Sequence, residues 1–132
     1  MNTDSKPISG SILMEGELTK KILGAAFKVQ NTLGAGFLEK VYENSLSIEL
    51  RNCGQAVESQ KVFPVTYAGV IVGDYLADLV VSGKVVVECK AVSNLDGVHD
   101  AQLMNYLKAS GIRVGLLINF ARPKLQFRRF VV

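Results

Sequence analysis

The chain has 132 residues, 48% hydrophobic and 20% charged, with a formal net charge of +3. This is material for one domain with a core of its own, and the mild positive charge permits nucleic acid as a partner without demanding it. Two cysteines and one histidine exclude a disulfide framework, a Cys-based zinc site and a His cage; no run approaches the roughly 18 apolar residues of a membrane span, and Met1 to Gly10 is too polar for a signal-peptide core, so the expected compartment is the cytoplasm, with no membrane partner.

Residues 1–14 lack strong periodicity and are expected to form an N-terminal arm, with a single domain over 15–132. From Glu17 to Leu33 the apolar positions Leu18, Ile22, Ala25, Ala26 and Val29 recur at helical spacing. Gly34-Ala35-Gly36 breaks the chain. A second helix is expected from about Phe37 to Asn52, with Gly54 as C-cap. Leu38, Val41, Ser45 and Ile48 are its expected apolar face, with Tyr42 and Leu46 beside it.

Strands follow. Val57 to Tyr67 carries Pro64, which suits an edge position. Ala68-Gly69 turns it into Val70 to Val81, and Ser82-Gly83 turns that into Lys84 to Lys90. Ser93 to Asp96 reads as a loop and His99 to Ser110 as a helix stopped by Gly111. Val114 to Phe120 and Leu125 to Val132 are further strands. The order αα-βββ-α-ββ implies a mixed α/β architecture with helices flanking a sheet. Arg113, Arg122, Lys124, Arg128 and Arg129 thicken the basic charge toward the end; a solvated strand edge and a phosphate-facing patch are equal readings of them.

The chemistry is concentrated where charge interrupts apolar strands. Asp78 lies in Tyr75-Leu76-Ala77-Asp78-Leu79-Val80-Val81, and Glu88 and Lys90 lie in Val85-Val86-Val87-Glu88-Cys89-Lys90. Buried ionised groups are costly unless paired or bound to metal. Strand alternation sets Glu88 and Lys90 on one face and Cys89, a small core residue, on the other. In a hairpin, Asp78 can lie near Glu88. Two carboxylates suit a hard divalent cation such as Mg2+, and a lysine two residues on suits a phosphate or its attacking water. A surface ion pair at a strand end is the plainer alternative.

Gln102 and Tyr106 are four apart and share a helix face, apart from the core-facing Leu103 and Leu107. They read either as phosphate- or water-binding groups or as a half-buried polar face. Glu39 at the start of the second helix reads either as a charge favoured by the helix dipole or as a further carboxylate aimed at the metal. His99 reads as a capping residue. The Gly34 segment has neither the Walker nor the GxGxxG pattern.

Gly36-x-x-Glu39-x-x-Tyr42 resembles the signature of the GxxExxY proteins. The resemblance runs from about Leu18 to Val132. It takes in Gln60, the Tyr75 to Leu79 segment, Glu88-Cys89-Lys90, Gln102-Leu103-Met104-Asn105-Tyr106-Leu107 and Gly115-Leu116-Leu117-Ile118-Asn119-Phe120. That family looks like a compact branch of the PD-(D/E)XK nuclease superfamily, which implies a restriction-endonuclease-like fold. The resemblance implies a nuclease dependent on Mg2+ or Mn2+ and acting on DNA. Asp78 and Glu88 would be metal carboxylates, with the Cys89 backbone carbonyl as a third ligand. Lys90 would act on water or phosphate, Gln102 and Tyr106 would form a Gln-x-x-x-Tyr element, and Glu39 would be a helix-borne acid of the site. Ala77 stands where the superfamily motif has proline. The alternative on the same fold is a non-catalytic nucleic-acid-binding or regulatory module. A third reading is a hydrolase of small nucleotides. No separate DNA-reading element is present, so specificity would come from loops, a homodimer or a protein partner.

Overall fold

The computed structural model describes residues 13–121 and 123–132. Residues 1–12 of the expected arm, and Arg122 of the basic run, lie outside them. The elements are α1 (Gly16–Leu33), α2 (Glu39–Asn52), β1 (Val57–Tyr67), β2 (Val70–Val81), β3 (Val85–Lys90), α3 (Gly97–Ser110), β4 (Val114–Asn119) and β5 (Gln126–Val131). This is the expected order, and it forms one five-stranded sheet, β1-β2-β3-β4-β5. β3 and β4 are parallel and every other pair is antiparallel. The result is a mixed sheet with flanking helices, the restriction-endonuclease-like α/β fold.

Local chemistry explains the order. β3 and β4 are almost wholly buried, as near-continuous apolar strands at the centre of a covered sheet must be. Their parallel pairing needs a crossover, which α3 supplies. Pro64 falls on β1, an edge strand, where its missing N–H costs no ladder bond. The α3 helix starts on a capping box: Asp96 accepts from the Val98 N–H, and His99 Nδ1 accepts from the Asp96 N–H. His99 is thus the capping residue its position suggests.

Strand alternation divides the core. Val85, Val87 and Cys89 pack under α1 and α2 with Ile22, Tyr42, Leu46 and Leu50. Val86 packs under α3 with Leu103, Tyr106 and Leu107. Gly115 lets α3 approach β4 closely, because a Cβ there would stand 3.0–3.1 Å from Leu103 side-chain atoms. β2 pairs with β3 only over Leu79–Val81. The rest of the β1–β2 hairpin runs past the sheet as an arm that exposes Val62, Tyr67, Val70, Ile71 and Val72.

Two expectations are corrected. The buried face of α2 is Tyr42, Glu43, Leu46, Ser47 and Leu50, whereas Leu38 and Ile48 are 80% and 58% exposed. The i, i+4, i+8 row of Tyr42, Leu46 and Leu50 carries more bulk against α1 and the sheet than the row through Leu38 and Ser45. The basic run is neither a solvated edge nor a phosphate patch at Arg128 and Arg129. Arg128 donates to both oxygens of Asp100 and to the Leu95 carbonyl. Arg129 is buried and donates to the Met14 carbonyl. Both hold β5 to neighbouring segments. Among the described residues no helix is long and apolar enough to cross a membrane.

Candidate active site

The three central charges meet where the sheet opens. The β2–β3 ladder runs through Val81↔Val85, Val80↔Val86 and Leu79↔Val87 and then stops. One residue on, side chains replace it. The Asp78 N–H donates to Glu88 Oε2 at 2.8 Å, and the Cys89 N–H donates to Asp78 Oδ2 at 2.9 Å. On its other side, the β1–β2 register passes from Ser59↔Leu79 to Lys61↔Ala77, stepping over Gln60 and Asp78. Each carboxylate is held by a backbone donor of the opposite strand, so the pair is preorganised.

Burial dominates the electrostatics. It raises the Asp78 carboxyl to about 6, and Glu43 adds repulsion against the opposing hydrogen bond from Cys89. It raises Glu88 to about 8, with the Asp78 charge as the next cause; the Asp78 N–H and Lys90 oppose it. The two titrate as a unit. The Cys89 thiol is pushed up by complete burial and by the same carboxylates, so it is a packed core group and no nucleophile.

Lys90 lies on the α3 side, and its Nζ donates to Gln102 Oε1 at 2.7 Å. It forms no ion pair with Asp78 or Glu88 in this arrangement. Tyr106 is buried beside Gln102 and stands edge-on to Tyr75, with ring centroids 5.1 Å apart. Burial, with Glu88 and Asp78 nearby, raises its hydroxyl to about 12, so it stays a neutral donor. Asp78, Glu88, Lys90, Gln102 and Tyr106 therefore come together. A cleft of about 310 Å3 lined by Thr66, Tyr75, Asn105 and Lys108 opens beside them between the arm and α3.

Glu39 stands apart from this cluster. It is exposed on the first turn of α2, and its charge is the smallest of the named influences on Asp78. Tyr42, the other end of the same motif, is a core residue. Its ring stacks on Phe120 at 4.8 Å, and its hydroxyl donates to the Gly34 carbonyl and accepts from the Phe37 N–H. The motif's tyrosine thus pins the loop between α1 and α2.

Sequence reading passed over Glu43. It is 5% exposed, one helical turn after Glu39, and its charge acts on Asp78, Glu88 and Cys89. The available signal was its place between Tyr42 and Leu46 on the buried side of α2. Gln60, which the resemblance takes in, donates its amide to Glu43 Oε2 at 2.8 Å.

Among the described residues no three His, Cys, Asp or Glu side chains are close enough to hold a metal by themselves. The residues still fit a hard divalent ion. Each central carboxylate uses one oxygen on a backbone N–H, leaving Asp78 Oδ1 and Glu88 Oε1 for a cation. Within a strand a residue's N–H and C=O point to the same side. The Cys89 N–H points at Asp78, while the Lys90 carbonyl accepts from the Phe120 N–H on the β4 side. The Cys89 carbonyl therefore faces the opened gap. Two carboxylates, one carbonyl and waters make an all-oxygen set of the kind Mg2+ accepts.

The family model described as "PD-(D/E)XK nuclease superfamily" matches residues 16–130. A solved structure described as "Crystal structure of SSO0001" is similar in fold, with a TM-score of 0.51 and 18% sequence identity over 89% of this chain and 58% of that one. The chain thus spans little more than half of that protein's length. No curated protein matches it.

Proposed function

The chain belongs to the PD-(D/E)XK nuclease superfamily, and on that premise we propose that it is a divalent-metal-dependent nuclease hydrolysing phosphodiester bonds of DNA. The observation that carries this reading is the Asp78–Glu88 pair at the opened end of the β2–β3 ladder, with Lys90 two residues beyond Glu88 on the same strand. Within the superfamily we place it with the GxxExxY proteins, on the Gly36, Glu39 and Tyr42 spacing and the Gln102 to Leu107 segment.

A bound Mg2+ or Mn2+ would lower the pKa of an attacking water and offset charge on the phosphate. Asp78, Glu88 and the Cys89 carbonyl are the groups that would hold it. Lys90, held on Gln102, is the cation of the site. Released from Gln102, its ammonium meets the attacking water or a phosphate oxygen as a point charge. Gln102 and Tyr106 then offer neutral donors to phosphate oxygens. Glu39, exposed at the helix start, would act from the rim. Lys108 and Tyr75 give the neighbouring cleft a charge and a ring for the strand on either side of the scissile bond.

The test is cleavage of plasmid, linear duplex, single-stranded DNA and RNA with Mg2+, Mn2+ or EDTA, with wild type beside Lys90→Ala. Cutting that needs metal and falls at least roughly 100-fold in the mutant supports the reading. A folded wild type that leaves every substrate intact overturns it. Salt-dependent DNA binding in that protein would point instead to a binding module on the same fold.

A further inference from the structure

Gln60 has an unusual backbone for its place. It lies within β1, yet its φ is +52°, in the left-handed region that a long side chain seldom adopts. The distortion falls at the step where the ladder skips both Gln60 and Asp78. Such strain persists only where the surroundings over-determine it. Here the turned side chain reaches α2, and its amide Nε2 lies 2.8 Å from Glu43 Oε2. Lys40 Nζ donates to the same oxygen at 3.0 Å. Among the described residues no donor reaches Glu43 Oε1, and the buried side chain acts on Asp78, Glu88 and Cys89.

We propose that Gln60 is a positioning residue: its left-handed backbone opposite Asp78 carries the amide to Glu43 and fixes that carboxylate as an outer acid of the Asp78–Glu88 centre. The role rests on the metal-dependent reading of that centre. Mg2+ and Mn2+ keep several waters when bound by one or two carboxylates, and an acid beyond direct reach acts on the ion through such waters. Glu43 supplies the charge, Gln60 and Lys40 hold it through Oε2, and Oε1 would accept from a water of the hydrated cation.

Gln60→Gly separates this role from a merely structural one. Glycine takes a positive φ without strain, so the fold and the metal-free Tm should be kept or raised, while the amide is lost. Mn2+ affinity, read from the Mn2+-dependent rise in Tm, should fall roughly 10- to 100-fold, the usual cost of removing an outer-shell partner. Glu43→Gln should show the same loss, and the double variant should lose no more than Glu43→Gln alone. Should Gln60→Gly not fold, Gln60→Asn replaces it, since asparagine tolerates the left-handed region but is one methylene shorter. Wild-type Mn2+ affinity in the folded Gln60 variant, or losses that simply add in the double variant, overturn the assignment. A wild type that binds Mn2+ but cuts nothing sinks the nuclease reading and leaves the Gln60 result to be judged on affinity. A wild type that binds no Mn2+ overturns both.

Discussion

The β2–β3 hairpin is built in two ways along its length. Across Leu79–Val81 and Val85–Val87 it is an ordinary ladder, with backbone pairing backbone and every side chain buried. Across Asp78 and Glu88–Lys90 the backbones part, and carboxylates take over the bonds the ladder would have made. The first half contributes stability by burying apolar surface. The second surrenders some of it, because two buried acids with raised pKa values repel one another when ionised. Contiguity is the lesson: the closed half aims the open half, and the step from Leu79 to Asp78 is where the ladder ends and the chemistry begins.

The comparison is broken most severely by putting a charge into the closed half. Val86→Asp buries an unpaired carboxylate among Leu103, Leu107 and Leu117 and should cost about 4 kcal/mol or more. Circular dichroism and denaturant titration should show loss of the fold. Lys90→Ala, four residues on, should by contrast keep the fold while losing cleavage.

The open half should respond to neutralisation in the opposite sense. Asp78→Asn keeps an oxygen for the Cys89 N–H and removes one of two repelling charges. It should raise the metal-free Tm at pH 8 by several degrees, about 3–5 °C for each kcal/mol gained, while abolishing cleavage. A lowered Tm would show that the carboxylate pair stabilises the fold.

The same logic sets the pH dependence. Asp78 and Glu88 are raised in the folded protein to about 6 and about 8, so the folded state holds their protons more tightly than the unfolded chain. Their contribution is fully present below about pH 4, the ordinary carboxylate range, and is lost as pH rises through 6 and then 8. Metal-free Tm, corrected with the Asp78→Asn and Glu88→Gln variants, should show that decline. Mn2+ should offset it increasingly toward high pH, because binding displaces the protons.

Smaller effects sharpen the boundary. Gly115→Ala presses a methyl group on Leu103 and should cost about 1–3 kcal/mol. It should also weaken cleavage by moving α3, and with it Gln102, away from Lys90. Tyr42→Phe removes the hydroxyl bonds to Gly34 and Phe37 for about 1–2 kcal/mol. It should leave kcat unchanged, as befits a residue that supports the loop and touches no reacting group.

Much of this was open to reading along the chain. Val-rich runs with Gly turns mark the strands, Pro64 marks an edge, and period-two alternation separates Glu88 and Lys90 from Cys89. The meeting of Asp78 with Glu88 follows from a hairpin with a short turn. The buried side of α2 did not follow, because Leu38, Val41 and Ile48 make as apolar a row as Tyr42, Leu46 and Leu50, and only the bulk of α1 and Phe120 chooses between them. Nor did the fate of Arg128 and Arg129, whose partners Asp100 and Met14 lie 28 and 115 residues away.

The sequence by itself determined the order of elements, the two faces of β3 and the presence of paired acids beside a lysine, because these depend on spacing within a few residues. Tertiary structure alone decided that the ladder parts at Asp78, that Gln60 turns left-handed opposite it, and that Glu43, not Glu39, is the buried acid of α2. Each of those depends on which distant backbone competes for the same hydrogen bonds, and local spacing carries no record of that competition.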